Sequence, residues 1–195
     1  MTPMPPTRAH IHDTVTAYLT RHPDEREALN PLFTALVSAP DPTSRTTLPT
    51  HVTCGAIVID DDMRILHIHH KAMGTYLTPG GHIEPDDTTL TAAALRELHE
   101  EAGLPPTALT PLPDFDDIPL DIDPHVIEAN PVKSEPQHLH VDFRFAFRLT
   151  TPSPITLQPD EVTGHEWRSL NKVTSPSARI KLARLAYRQR HTETT

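Results

Sequence analysis

Three carboxylates constrain this chain more than any other feature. Glu97, Glu100 and Glu101 fall at i, i+3 and i+4 in the run Arg96-Glu97-Leu98-His99-Glu100-Glu101-Ala102-Gly103-Leu104. The run and its approach read as a helix. Ala92, Ala93, Ala94, Leu95 and Leu98 are strong helix formers, and Asp87 or Thr88 can cap the start. Gly103 suits the left-handed position after a helix, and Pro105 prevents continuation. On that helix Ala94, Leu98 and Ala102 make an apolar row, and the three acids crowd the face beside it. Like charges at this spacing repel one another. A hard divalent cation turns the repulsion into a binding site, because Mg²⁺ prefers carboxylate oxygens. The plain alternative is an amphipathic helix with a solvated acidic face. Arg96, four residues before Glu100, can orient a carboxylate.

Pro79-Gly80-Gly81 leads into this helix. Together the two segments resemble the Nudix box, the signature of the Nudix hydrolases. The second half of the box matches fully at Arg96, Glu97, Leu98, Glu100, Glu101, Gly103 and Leu104. The first half is one residue longer than the consensus, so Asp87 and Thr88 compete for its acidic position. The resemblance implies an α/β fold, an α/β/α sandwich with a mixed sheet, over residues 48–195. It implies hydrolysis of a diphosphate linkage in a nucleoside diphosphate derivative or nucleoside triphosphate, with Mg²⁺ or Mn²⁺ as cofactor. Glu97, Glu100 and Glu101 would then be metal ligands, and Glu97 also the general-base candidate. Arg96 would orient the carboxylates, which makes Glu97, Arg96 and Glu100 the catalytic set. Gly80 and Gly81 would let backbone approach the helix and the diphosphate. Glu161, shortly before Trp167, fits the spacing of an extra metal ligand in some members. Two other readings compete: a Nudix hydrolase of a non-nucleotide diphosphate, and a binding module without turnover. Three adjacent ligands disfavour the last.

Elsewhere the chain is less explicit. Its 195 residues suit one domain with additions. A formal net charge of −9 argues against a general nucleic-acid binder; the partner that the resemblance implies is a small-molecule diphosphate. No apolar run approaches the length of a membrane span, and a single cysteine, Cys54, excludes an internal disulfide and fits a reducing cytoplasm. Cys54 itself sits in an apolar run and reads as a buried, inert thiol.

Residues 1–47 read as a helical extension and linker, frayed to about residue 8. Its first helix carries Ile11, Val15, Tyr18 and Leu19, and Asp24 can cap a second helix that Pro31 kinks or restarts. The extension could form a lid or a homodimer contact, but packing is its simpler role. Strands are expected at His51–Asp60, Arg64–His70 and Tyr76–Thr78. His67 and His69 read as a solvated strand face. Residues 105–137, rich in proline and aspartate, read as a long loop. Val141, Phe143, Phe145 and Phe147 alternate along a further strand whose other face carries His140, Asp142, Arg144 and Arg148. That face is either a polar exterior or a pocket wall, in which case His138 and His140 contact substrate. A final helix from Ser177 to Arg190 sets Ile180, Leu182 and Leu185 against a solvated face of Arg179, Lys181, Arg184 and Arg188.

Overall fold

The computed structural model describes residues 4–113 and 115–192. Two helices, α1 (Arg8–Arg21) and α2 (Asn30–Ser38), precede β1 (Thr50–Ile59), β2 (Arg64–His70), β3 (Thr75–Leu77) and β4 (Gly80–His82). Helix α3 (Leu90–Ala102) follows, then β5 (Leu109–Pro111), β6 (Asp121–Ile127), β7 (His138–Leu149), β8 (Val162–Ser169) and α4 (Pro176–Thr192). The eight strands form one sheet with the central order β3-β2-β1-β7-β5. β4 pairs with β1, β6 with β7 and β8 with β2. β1 and β7 run parallel while the other pairs are antiparallel, so the sheet is mixed.

Alternation along β1 and β7 divides the core. Val52, Cys54, Ala56 and Val58 join Val141, Phe143, Phe145 and Phe147 on one face, under α1, α2 and α3. Ile57, Ile59 and Ala146 face Ala178 and Leu182 of α4 on the other. This is the expected α/β/α sandwich. Cys54 is fully buried, as expected of an inert thiol.

Several local expectations need correction. The start of the chain is anchored well before residue 8: Pro6 is buried, and the Thr7 side chain caps α1 by accepting from His10 N–H at 3.1 Å; residues 1–3 lie outside the described residues. Pro31 neither kinks nor follows a helix begun at Asp24. It sits in the first turn of α2, where its missing N–H is harmless, and Pro23–Glu25 forms a separate 3₁₀ turn. Residues 105–137 hold two strands, β5 and β6, both paired to β7. The proline inside β6, Pro124, is tolerated because β6 lies beside β7 alone. His67 is buried rather than solvated. On α4, Ile180 is exposed and Lys181 is buried, the reverse of the expected faces.

The reason for that reversal is a polar network at the β6 edge. Lys181 Nζ donates to Asp121 Oδ1 at 2.7 Å and lies 2.7 Å from Glu25 Oε1. Tyr18 of α1 donates its hydroxyl to Glu25, and the same oxygen accepts the Ile122 N–H at 3.3 Å. Asp121, fully buried, also accepts from Ser175 at 3.0 Å and Ser177 at 2.7 Å. Burial pushes the Asp121 carboxyl up, but Lys181, Ser177 and Arg144 outweigh it and hold it below the usual range.

Candidate functional site: a cleft with a carboxylate wall and an imidazole wall

Helix α3 is shaped by its ends. Thr89, not Asp87 or Thr88, is its cap, accepting from Ala92 N–H at 3.0 Å. Gly103 closes it at φ +69. The buried face carries Leu90, Ala93, Ala94, Leu98 and Ala102, and the rotation that buries Leu98 and Ala102 brings Glu97 and Glu101 against β4. Glu101 is only 2% exposed, and its Oε2 accepts the Gly80 N–H at 2.9 Å. A Cβ on Gly81 would stand 2.6 Å from Glu97 Oε1, and one on Gly80 would stand 2.7 Å from the Cys54 carbonyl oxygen. The glycine pair therefore lets β4 lie flat between β1 and the carboxylates. Burial, with the neighbouring acids adding to it, pushes the carboxyl of Glu97 up to about 7 and that of Glu101 up to about 8. Arg96 lowers the first and the Gly80 amide the second, without cancelling the rise. Glu100 is exposed at the rim.

Arg96 ties the wall together. Its guanidinium donates to Glu97 at 3.1 Å, to Glu100 at 2.9 Å and to the His82 carbonyl at 2.7 Å. It also grips Asp87 through Nε at 3.1 Å and Nη2 at 3.0 Å. Asp87, 5% exposed, accepts the Glu84 N–H at 2.8 Å as well. The displaced half of the motif thus has a defined place: Asp87 anchors the arginine that aims the other acids. Glu161 stands just before β8, exposed, with one oxygen in a group with Glu101 and His70 whose donor atoms lie within 4.8 Å of one another. His70 was not legible as a partner of these acids, because a register shift in the β2–β8 pairing brings it there.

These residues line a cleft of roughly 1410 Å³. Its opposite wall comes from β1, β6 and β7. Arg144, 9% exposed, donates to Asp142 at 2.8 Å and lies 2.7 Å from Asp123 Oδ2. Asp142 also accepts from Thr53 at 3.1 Å. Beyond them is a group of five histidines. His51, His140 and His125 are register neighbours across β1, β7 and β6. The His140 ring lies 4.6 Å from that of His51, 5.0 Å from His138, 5.1 Å from His82 and 5.6 Å from His125, centroid to centroid. Burial, then the surrounding imidazoles, drives His140 down to about 2, and burial with Arg45 and His51 lowers His82 to about 4. The face of β7 that sequence left undecided is thus a pocket wall: His140 lines the cleft, while His138 is buried behind it. His51 and His82 carried no local signal, since their partners are supplied by strands far away in sequence.

The mixed-sheet sandwich thus lines an open cleft with the carboxylates of one helix. The NUDIX domain sequence model matches residues 49–189, and the chain belongs to the Nudix family, the Nudix pyrophosphohydrolases. Among solved structures, a C. elegans Ap4A hydrolase binary complex is similar at 18% identity and a TM-score of 0.55, over 72% of this chain and 98% of that one. The E. coli dihydroneopterin triphosphate pyrophosphohydrolase is similar at 16% identity and a TM-score of 0.49, over 68% and 92%. The NUDIX domain of Shewanella oneidensis NrtR, solved with ADP ribose, gives 16% and 0.48, over 71% and 86%. At 18% identity the first of these likenesses is one of fold. No curated protein matches by sequence.

Proposed function

We propose that this protein is a Mg²⁺- or Mn²⁺-dependent hydrolase of a nucleoside diphosphate derivative or nucleoside triphosphate. The observation that carries this reading is the pair of carboxylates, buried Glu101 and half-buried Glu97, backed by Gly80 and Gly81 and facing the cleft. Two neighbouring acids with raised proton affinity are poorly stabilised as anions, and a hard cation remedies that. Glu97, Glu100, Glu101 and Glu161 would be the oxygen donors for such an ion, and Glu101 and Glu161 lie with His70 in a group whose donor atoms are within 4.8 Å of one another. The chemistry it supplies is neutralisation of phosphoryl oxygens and activation of water.

The chain's own groups do the rest. Arg96, fixed by Asp87, holds Glu97 and Glu100 in position. Glu97 accepts the proton of the water that attacks phosphorus. The bond from phosphorus to the bridging oxygen breaks, and a phosphate ester or nucleotide leaves. The imidazole wall and Arg144 receive the remainder of the substrate, with His140 as the cleft-lining contact. The cleft's aromatic rings are imidazoles rather than Phe, Tyr or Trp. That supports a second reading, a non-nucleotide diphosphate that needs no base-stacking platform. A metal-supplemented screen of dinucleoside polyphosphates, nucleotide sugars, nucleoside triphosphates and prenyl diphosphates separates the two. Turnover confined to the prenyl class would overturn the first reading, and no release of phosphate products from any class would overturn both. No helix among the described residues is long and apolar enough to cross a membrane, and a buried, unpaired Cys54 supports a cytoplasmic setting.

A further inference from the structure

The imidazole wall contains an arrangement that binding of a diphosphate does not require. One ring nitrogen each from His51, His138 and His140 lies within 4.8 Å of the other two. His51 Nδ1 is 2.9 Å from the Thr47 carbonyl and His138 Nδ1 is 2.9 Å from the Pro136 carbonyl. A ring that donates from Nδ1 to a carbonyl keeps its lone pair on Nε2. Backbone carbonyls of this kind are also what hold metal-ligating histidines in one tautomer. The two Nε2 lone pairs then have different fates. That of His138 faces His140 Nε2 at 3.1 Å. That of His51, in a fully buried residue, has no hydrogen-bond partner.

From these observations the structure assigns a second metal site: a borderline transition-metal ion, Zn²⁺ by chemical class, held by His51, His138 and His140. Three neutral imidazoles are a common donor set for Zn²⁺, and two nitrogens about 2.0–2.1 Å from a tetrahedral ion stand about 3.3–3.4 Å apart. The 3.1 Å between His138 and His140 is already close to that separation. The ion would satisfy the orphaned Nε2 of His51. His140, the ligand that lines the cleft, leaves the fourth position on the cleft side. With the ion in place, His140 carries its proton on Nδ1. Nitrogen donors select against Mg²⁺, which prefers oxygen, so the two walls sort two kinds of cation. Strand pairing fixes the spacing, because His51 and His140 are register partners on parallel strands.

The test uses the untagged full chain, stripped with chelator and then held in excess Mg²⁺ so that the carboxylates are not available. Titration with Zn²⁺ should show one ion retained per chain. Co²⁺ should give the visible bands of a low-coordinate, nitrogen-rich site. H138A and H140A should weaken Zn²⁺ binding by more than the roughly 10–100-fold that loss of a supporting hydrogen-bond partner brings. E97Q and E101Q should leave it unchanged. No Zn²⁺ retained in Mg²⁺, or binding lost in the glutamate variants and kept in the histidine variants, would overturn the assignment. Because histidine variants can misfold, the imidazole ¹⁵N spectrum of the unsubstituted chain is followed during the same titration. Nitrogen signals that do not move with one equivalent of Zn²⁺ also overturn it.

Discussion

The carboxylates of α3 and the imidazole cluster of β1 and β7, through His140, border the same cleft, but each group is held by different means. On the α3 side the acids sit three and four residues apart, and a single arginine with its own buried anchor aims them. On the β side the rings come from strands joined only by pairing, and they contact mainly each other. The first wall concentrates negative charge that burial resists, and the second collects bases that burial keeps neutral. The difference teaches that one cleft can hold two chemically distinct halves without a charged partner for every titratable group.

The largest expected effect would break the comparison on its acidic side. Excess chelator should abolish turnover on whatever substrate the screen identifies, and Mg²⁺ or Mn²⁺ should restore it; full turnover in chelator would remove the mechanism. Next, Glu101→Gln should reduce kcat by about 10²–10³, the scale of losing one electrostatic group at a reacting centre. The metal-free melting temperature should hold or rise, since the amide still accepts from Gly80 and one buried like charge is gone. Wild-type rates would leave Glu101 a purely structural acceptor for the Gly80 amide.

Asp87 separates anchoring from chemistry. Asp87→Ala should cost about 1–3 kcal/mol in denaturant unfolding, because Arg96 loses one of its carboxylate partners and the Glu84 N–H loses its acceptor. Asp87→Asn should lower both rate and stability by less. Lost rate at unchanged stability would place Asp87 in the reaction itself. Gly81→Ala tests the reverse case: the new methyl meets the end of a flexible side chain, so stability should barely change while turnover falls as Glu97 moves aside.

The smallest effect sharpens the contrast. In the metal-free protein the raised carboxyls of Glu97 and Glu101 favour the folded state when protonated. Their contribution is full below about 4.5 and is lost as pH rises through about 7 and 8. The lowered imidazoles of His82 and His140 act oppositely. Their contribution is full above about 6.5 and is lost as pH falls through about 4 and then about 2. Melting temperature against pH should therefore peak near pH 6. Glu101→Gln should flatten the alkaline arm only. An acid arm that flattens with it would show the two walls to be coupled.

How much of this was legible in sequence follows the range of the interactions. The motif helix, its glycine stop and the strands at β1, β2 and β7 follow from local propensity and periodicity. The cap on Thr89 was missed by one or two residues, because Asp87 and Thr88 are equally good caps until tertiary contacts assign Asp87 to Arg96. β6 was hidden by its proline and aspartates, whose partners lie on β7 and α4. His51 and His140 are eighty-nine positions apart in sequence and meet only through parallel pairing, which leaves no local pattern. Lys181 broke the helical reading because its partners, Asp121 and Glu25, belong to other elements.

That lysine has a consequence for where the protein can be cut. Its ammonium is shared between Glu25, which follows α1, and Asp121 on a strand whose next acid, Asp123, meets Arg144 in the cleft. Deleting residues 1–47 at the apparent domain boundary would strip Tyr18 and Glu25 from the charge centre and open the Ile122 edge of β6 to water. The family core at residues 49–189 thus shares its buried charge centre with the N-terminal extension. A shortened version should express as an aggregation-prone protein with a disturbed cleft, and a graft of this core onto another Nudix protein would need α1 to travel with α4.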